Sequence, residues 1–93
     1  MDFAAQAEVV GRIRSGLEEL TGSRIRVRAN MGRSKIVERE GILTQTHPAL
    51  FVVEVQEKRA RTARASYQYV DVLTGTVELT DPENGESLFP WLN

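Results

Sequence analysis

The sequence predicts a mainly β protein with one N-terminal helix. Apolar residues recur at steps of three and four up to residue 20, which predicts a helix. From residue 24 they alternate with polar residues, which predicts strands. Short segments rich in β-branched residues then follow one another, separated by turn-forming residues. A length of 93 residues suits one domain.

The helix is predicted over residues 2–21. Asp2 suits the N-cap position, and Gly22 suits the position just past the helix end. The apolar stripe along this helix consists of Phe3, Ala7, Val10, Ile13, Leu17 and Leu20. Because a stripe of this kind has to be covered, we expect it to pack on the sheet that follows.

Five short strands are predicted after the helix. They cover residues 24–29, 36–46, 50–55, 64–69 and 76–79, with a polar, basic connection at 56–63. Gly41 interrupts the long second strand, where a glycine often marks a bulge or bend. Residues 70–74 are too short for an independent helix and fit a single tight turn. Together these elements predict a small five-stranded SH3-like (Sm-like) barrel, whose closure removes exposed sheet edges.

The chain is accordingly interpreted as a single domain over residues 1–93. Its parts are the N-terminal helix at 2–21, the barrel at 24–79 and a C-terminal tail at 80–93. The absence of cysteine excludes disulfides and thiolate metal sites and is compatible with a reducing cytoplasm. The longest bulky apolar run, residues 49–53, is too short to cross a bilayer, and no basic segment precedes an apolar one at the N-terminus. We therefore expect a cytoplasmic protein that does not contact membranes.

The strongest functional signal is a row of alternating arginines followed by a basic loop. Arg24, Arg26 and Arg28 share one strand parity, so their side chains should lie on one exposed face about 6–7 Å apart. The candidate binding residues are Arg24, Arg26, Arg28, Asn30, Gly32, Arg33 and Lys35. Such a set suits phosphate contacts, with backbone amides around the glycine as an anion nest. In the alternative interpretation the row is a solvated strand face that pairs with Glu38 and Glu40 of the next strand.

The charge distribution supports a binding surface in the middle of the chain. Residues 24–64 contain ten Arg or Lys against four acids, whereas residues 65–93 contain five acids and no base. The net charge of the whole chain is only −1, so the segregation is hidden in the total. Such asymmetry bears on the choice of partner more than the total does.

Two pairs of aromatic residues each allow two interpretations. Tyr67 and Tyr69 are either a stacking platform for bases beside the cations or core residues, and the core is favoured because small barrels need large side chains. Phe89 and Trp91 are either anchors for a partner or part of a tail that folds back. For the tail we favour packing on its own chain or a homodimer contact.

The sequence contains no constellation that suits catalysis, a metal or a cofactor. His47 is the only histidine and lies in a turn before proline, without cysteine partners for a metal. The carboxylates are scattered, and no pairing of them suggests acid–base chemistry. The loop at 30–32 lacks the second glycine and the following helix of a nucleotide-binding loop. We therefore predict that the protein is not an enzyme.

Two blocks of residues resemble the Veg family. The first block is Ala29-Asn30, Gly32-Arg33, Lys35, Glu38, Gly41-Ile42-Leu43, Thr46, Pro48 and Phe51-Val52-Val53, and the second is Ser66-Tyr67, Tyr69, Asp71-Val72-Leu73-Thr74 and Val77-Glu78-Leu79. Together they cover residues 29–79. The resemblance implies a small cytoplasmic protein of Gram-positive-type bacteria with an SH3-like barrel, associated with gene expression and biofilm formation and without enzymatic activity.

The sequence also departs from the family pattern at a few positions. Met31 and Ser34 stand where the family often has glycine and a further base, and His47 replaces a common tyrosine. The tail with Trp91 is not a hallmark of the family. These differences leave the expected fold unchanged and bear on the identity of the partner.

The residues and the resemblance together predict a non-enzymatic regulator of transcription or biofilm formation. It would act through contacts of the basic face with a transcription regulator protein or with nucleic acid. The alternatives are a small RNA- or DNA-binding barrel, a protein–protein adaptor and a homodimeric structural module.

Overall fold

The computed structural model describes residues 2–56 and 61–92, which form one long helix, a five-stranded antiparallel sheet and a short second helix. The helices are α1 (Phe3–Glu19) and α2 (Tyr69–Leu73), and a 3₁₀ turn covers Pro90–Leu92. The strands are β1 (Arg24–Asn30), β2 (Ile36–Thr46), β3 (Leu50–Gln56), β4 (Thr62–Gln68) and β5 (Val77–Thr80). Neither helix in the described ranges combines the length and the apolar composition that crossing a membrane requires.

Helix α1 begins where the sequence predicts and packs through its second half. The Oδ1 atom of Asp2 accepts a hydrogen bond from the Ala5 backbone N–H at 2.8 Å, which satisfies one free donor of the first turn. Ile13 and Leu17 are fully buried, whereas the Phe3 side chain is 91% exposed. The predicted apolar stripe is thus covered near its C-terminal end and uncovered at its start.

The sheet is open, so the predicted SH3-like (Sm-like) barrel is not confirmed. The strand order is β4-β3-β2-β1-β5, and in the described residues β4 and β5 are not paired with each other. Helix α2, with Tyr69 and Val72 buried, joins these two strands and packs on both of them. The free side of β5 instead meets the C-terminal segment, where the Leu88 N–H donates to the Leu79 carbonyl at 3.0 Å.

The element bounds differ from the prediction mainly around β4. The strand begins at Thr62 and ends at Gln68, because Tyr69 already belongs to α2. The single tight turn predicted for residues 70–74 is therefore wrong: a five-residue helix lies there. Of the predicted polar connection at 56–63, residues 57–60 lie outside the described residues.

Gly41 has a different role from the predicted bulge. The register of β2 against β3 shifts between Leu43 and Gln45, so the irregularity lies beyond Gly41. At Gly41 the backbone of β3 approaches instead, and a Cβ atom added there would contact the Glu54 carbonyl group. The glycine is thus explained by the close approach of two strands.

The core lies between the helices and one face of the sheet, here called the inner face. Ile25, Val27 and Ala29 of β1 are buried on it. Phe51 of β3 is fully buried, with its ring centroid 5.7 Å from that of Tyr67 and 5.5 Å from that of Tyr69. The opposite face of the sheet carries most of the charged side chains of the strands, and the candidate site lies there.

Candidate functional site

The predicted arginine row lies on the face of the sheet opposite the core. Because Ile25, Val27 and Ala29 point inward, the alternating arginines of β1 point outward, as the sequence predicts. Residues that are paired across strands share a face, so the register identifies the charged neighbours of this row. We call this surface the outer charged face; its charged residues are Arg24, Arg26, Arg28, Glu38, Glu40, Glu54, Arg64 and Glu78.

Opposite charges face one another across the ladders of this surface. Arg26 is paired with Glu40 of β2, whereas Arg28 is paired with Glu38 of β2 on one side and with Glu78 of β5 on the other. At the far end of the sheet, Glu54 of β3 is paired with Arg64 of β4. Arg26, Arg28 and Arg64 thus each lie directly opposite a carboxylate in the sheet.

One carboxylate holds two arginines of the row. The Oε2 atom of Glu40 lies 3.3 Å from Arg24 Nη1, and its Oε1 atom lies 3.3 Å from Arg26 Nη2. Arg28 Nη1 lies 3.9 Å from Glu78 Oε2. These pairs are exposed, and each is worth only about 0–1 kcal/mol of stability. Their main consequence is electrostatic, because the row is neutralised in place.

Counted over the described residues, the outer charged face carries no net charge. Arg24, Arg26, Arg28 and Arg64 are matched by Glu38, Glu40, Glu54 and Glu78. The alternative interpretation is a solvated face whose arginines pair with acids of the next strand. Glu40 makes such ion pairs, whereas Glu38 makes no ion pair with a described residue. In the sequence, the row stands in a stretch, residues 24–35, that contains five Arg or Lys and no acid.

The loop between β1 and β2 is the part of the predicted site that stays cationic. The Asn30 Oδ1 atom accepts the Gly32 N–H at 2.9 Å, and the Lys35 N–H donates to the Gly32 carbonyl at 2.9 Å. Gly32, Arg33 and Ser34 have φ values of 85°, 46° and 63°. These values lie in the left-handed region, where the backbone of a residue other than glycine is strained. Within the described ranges, Arg33 and Lys35 are exposed and make no ion pair. They are therefore the accessible cations beside the neutralised row.

The two tyrosines are not brought together with the arginine row of β1. Tyr67 is paired with Phe51 across β3 and β4, so its half-buried side chain lies on the inner face. Tyr69 is fully buried, and its hydroxyl donates a hydrogen bond to the His47 carbonyl at 2.8 Å. A base stacked on the Tyr67 ring would lie on the other side of the sheet from Arg26. The core interpretation of the sequence fits both positions.

Burial raises the pKa of both phenols above the usual value of 10.0. For Tyr69 the neutral phenol is therefore the form that the fold favours, and this stabilisation is present below pH 10 and is lost as the pH rises through the raised pKa. Alkaline titration should thus unfold the protein partly through Tyr69.

We expect Tyr69→Phe to lower the free energy of unfolding by about 1 kcal/mol at pH 7, because the hydrogen bond to the His47 carbonyl is lost. The variant should also lose less stability than the wild type between pH 9 and roughly pH 11, since the titrating phenol is gone. Urea unfolding at both pH values measures the two effects. Equal urea midpoints of variant and wild type at pH 7 would contradict the role given to this hydrogen bond.

The C-terminal tail packs on its own chain. Phe89 is buried, and a Cβ atom added at Gly16 of α1 would lie 2.8 Å from its Cε1 atom. The Trp91 ring lies 5.8 Å from the Phe89 ring, and the Arg12 guanidinium lies 3.9 Å from the centre of the Trp91 ring, in cation–π geometry. Both aromatic residues singled out in the tail thus have contacts within the chain.

Sequence reasoning missed Glu78, Glu54 and Arg64 as members of the charged surface. The alternation Val77-Glu78-Leu79 did indicate that Glu78 points away from the core. No local pattern indicates that β5 lies beside β1, however, because that pairing joins residues about fifty positions apart. The signal that could have found Glu78 is the order of the strands.

The fold and this surface define a small mainly β protein with one helix-covered sheet face and one face of balanced charge. The chain belongs to the Veg family: the family model described as biofilm formation stimulator VEG matches residues 8–80. That range contains all five strands, α2 and both blocks of residues that carry the resemblance in the sequence. A comparison with individual curated proteins gave no match.

Proposed function

We propose that this protein is a non-enzymatic cytoplasmic regulator that stimulates biofilm formation by binding a protein through its outer charged face. The family match supports the role in biofilm formation. The observation that supports a protein partner is the balance of charge on the face, where Glu40 pairs with both Arg24 and Arg26. The proposed partner is a transcription regulator.

Balanced charge favours a protein over nucleic acid for a physical reason. A nucleic acid is bound by cations that replace the counterions of its phosphates, and each arginine that is already paired must first give up its carboxylate. A protein surface carries both signs of charge and can match arginines and glutamates in one pattern. Such a pattern contributes mainly to specificity and to the rate of association.

The basic loop indicates how the partner is oriented on the outer charged face. Arg33 and Lys35 remain unpaired among the described residues and extend the face at one end of β1. We therefore expect the partner to place acidic residues opposite this loop and mixed charges opposite the strands. The helix and the core hold the face in position and do not contact the partner in this mechanism.

Deleting the gene in its host bacterium should lower biofilm biomass, and expressing the wild-type chain from a plasmid should restore it. Biomass is measured by dye staining at equal cell density. Deletion without any change in biomass, in a host whose other genes are intact, would contradict the regulatory role.

Nucleic-acid binding is the second candidate function, and the unpaired loop cations are the observation that favours it. With two such cations, Arg33 and Lys35, log K for short DNA or RNA should fall with log salt at a slope of about −2, and binding should be weak at physiological salt. Fluorescence anisotropy with single- and double-stranded oligonucleotides across salt concentrations measures this. Tight binding with a slope of about −4 or steeper would show that the paired arginines also engage phosphates and would contradict the protein-partner mechanism.

A further inference from the structure

Among the residues that the structure describes, strand β4 has no partner along its outer edge. In the described residues β4 is paired with β3 alone, whereas the outer side of β5 meets the tail through the Leu88–Leu79 hydrogen bond. The Tyr69 N–H donates to the Ala49 carbonyl at 3.4 Å, and this pair continues the β3–β4 register. It therefore shows which alternate residues of β4 form hydrogen bonds with β3. Odd-numbered residues of β4 therefore direct their backbone groups to β3, and even-numbered residues direct theirs outward. The outward residues are Thr62, Arg64, Ser66 and Gln68.

We propose that a second copy of this chain pairs with the β4 edge in antiparallel orientation, about a two-fold axis at Ala65. This register places Arg64 opposite Ser66 of the second copy and Thr62 opposite Gln68 of the second copy. Since all of these are even-numbered, every outward N–H and C=O of the strand would gain a partner. The two sheets would become one continuous sheet of ten strands, twice the five of each chain.

The inner-face side chains of β4 are complementary in this register. Ala65 meets Ala65 of the second copy at the axis, and Ala63 meets Tyr67 of the second copy. Ala63, Ala65 and Tyr67 are half-buried in the single chain, so they form an apolar rim along the free edge. A large ring beside a small side chain fills this rim without overlap, and pairing would cover it.

The charge of Arg64 favours this register over the one with the axis at Arg64. Centring the axis on Arg64 would place two arginines directly opposite each other, which is unfavourable. With the axis at Ala65, each Arg64 faces a serine and keeps Glu54 of its own chain as its neighbour in the β3–β4 ladder. Among the described residues β4 contains no proline that would block a new ladder.

Dimerisation through this edge goes beyond the proposed function and does not depend on it. A two-fold axis perpendicular to the sheet keeps equivalent faces on the same side, so the two outer charged faces would lie side by side. Such a dimer offers the same surface twice, in a symmetric arrangement.

Cysteine cross-linking tests the register, because the natural chain contains no cysteine. At the axis, the two Ala65 Cα atoms would be about 4.5 Å apart, as in a pair without direct hydrogen bonds, and this suits a disulfide. The two Ala63 Cα atoms would be four residues apart along the strands, roughly 14 Å, which is too far. Under mild oxidation Ala65→Cys should run as a disulfide-linked dimer on non-reducing denaturing gels. Ala63→Cys should not cross-link and should run at the mass of a single chain. Equal cross-linking of both variants, or none with Ala65→Cys, would overturn the proposal.

The mass of the unmodified protein provides a second, independent readout. Light scattering at concentrations up to about 1 mM should give twice the chain mass of 10.4 kDa for the wild type. Ser66→Pro removes an outward N–H and leaves the β3–β4 ladder intact, so this variant should keep the wild-type circular dichroism spectrum and return to the monomer mass. A monomeric wild type throughout this range, or a folded Ser66→Pro variant that is still dimeric, would overturn the proposal.

Discussion

Replacing Gly41 by alanine is expected to lower the free energy of unfolding by about 3 kcal/mol, because no room exists for a side chain there. The added Cβ atom would lie 2.9 Å from the Glu54 carbonyl carbon and 3.0 Å from Val53 Cγ1, and it would overlap the Glu54 carbonyl oxygen. Two of these three atoms belong to the backbone of β3 and cannot rotate away. The strands would have to separate at the centre of the sheet, next to the outer charged face.

Gly11→Ala is the matched control for this change. Gly11 lies inside α1, and an added Cβ atom would meet nothing within 4 Å. Alanine should therefore stabilise the helix by about 0.5–1 kcal/mol, opposite in sign to the change at Gly41. Urea unfolding followed by Trp91 fluorescence measures both variants. A Gly41→Ala midpoint equal to that of the wild type would contradict the close strand approach.

Glu40→Lys should have the largest effect on function. The change removes the carboxylate that holds Arg24 and Arg26 and places a third cation between them, so the net charge of the outer charged face rises from zero to +2. We expect the wild-type arginine positions to be lost through like-charge repulsion, and binding to the partner to weaken by about tenfold or more. Biofilm biomass in the complemented deletion strain should fall accordingly, while stability changes by less than about 1 kcal/mol.

Glu8→Lys gives the same change of total charge away from the face. Glu8 is an exposed residue of α1, on the helix side of the sheet. This control should restore biofilm formation as well as the wild type does. The account is contradicted if the two lysine variants reduce biomass to the same extent, because total charge and not the position on the outer charged face would then decide.

Local patterns predicted those parts of the fold that depend on neighbours in sequence. The N-cap at Asp2, the bounds of β2 and the outward direction of Arg24, Arg26 and Arg28 all follow from residue type and spacing. The basic loop after β1 was also located by its turn residues, and its left-handed backbone at Gly32 agrees with that.

The remaining features depend on which strands meet in space. Barrel closure requires β4 and β5 to pair. In the described residues these strands are joined by α2, whose Tyr69 and Val72 pack in the core, and they do not pair with each other. Whether Tyr67 shares a face with Arg26 depends on the register through β3 and β2, which no single segment encodes. The neutralisation of Arg28 by Glu78 has the same origin.

The most direct test of the central claim is to complement the deletion strain with Arg24→Ala/Arg26→Ala/Arg28→Ala. The matched control, Arg12→Ala/Arg14→Ala/Arg39→Ala, removes as many cations from α1 and from the side of β2 that is opposite Val27, off the outer charged face. With equal expression and equal melting of both variants, the account predicts that the control restores biofilm biomass and that the β1 variant does not. Full restoration by the β1 variant would contradict the outer charged face as the site through which this protein acts.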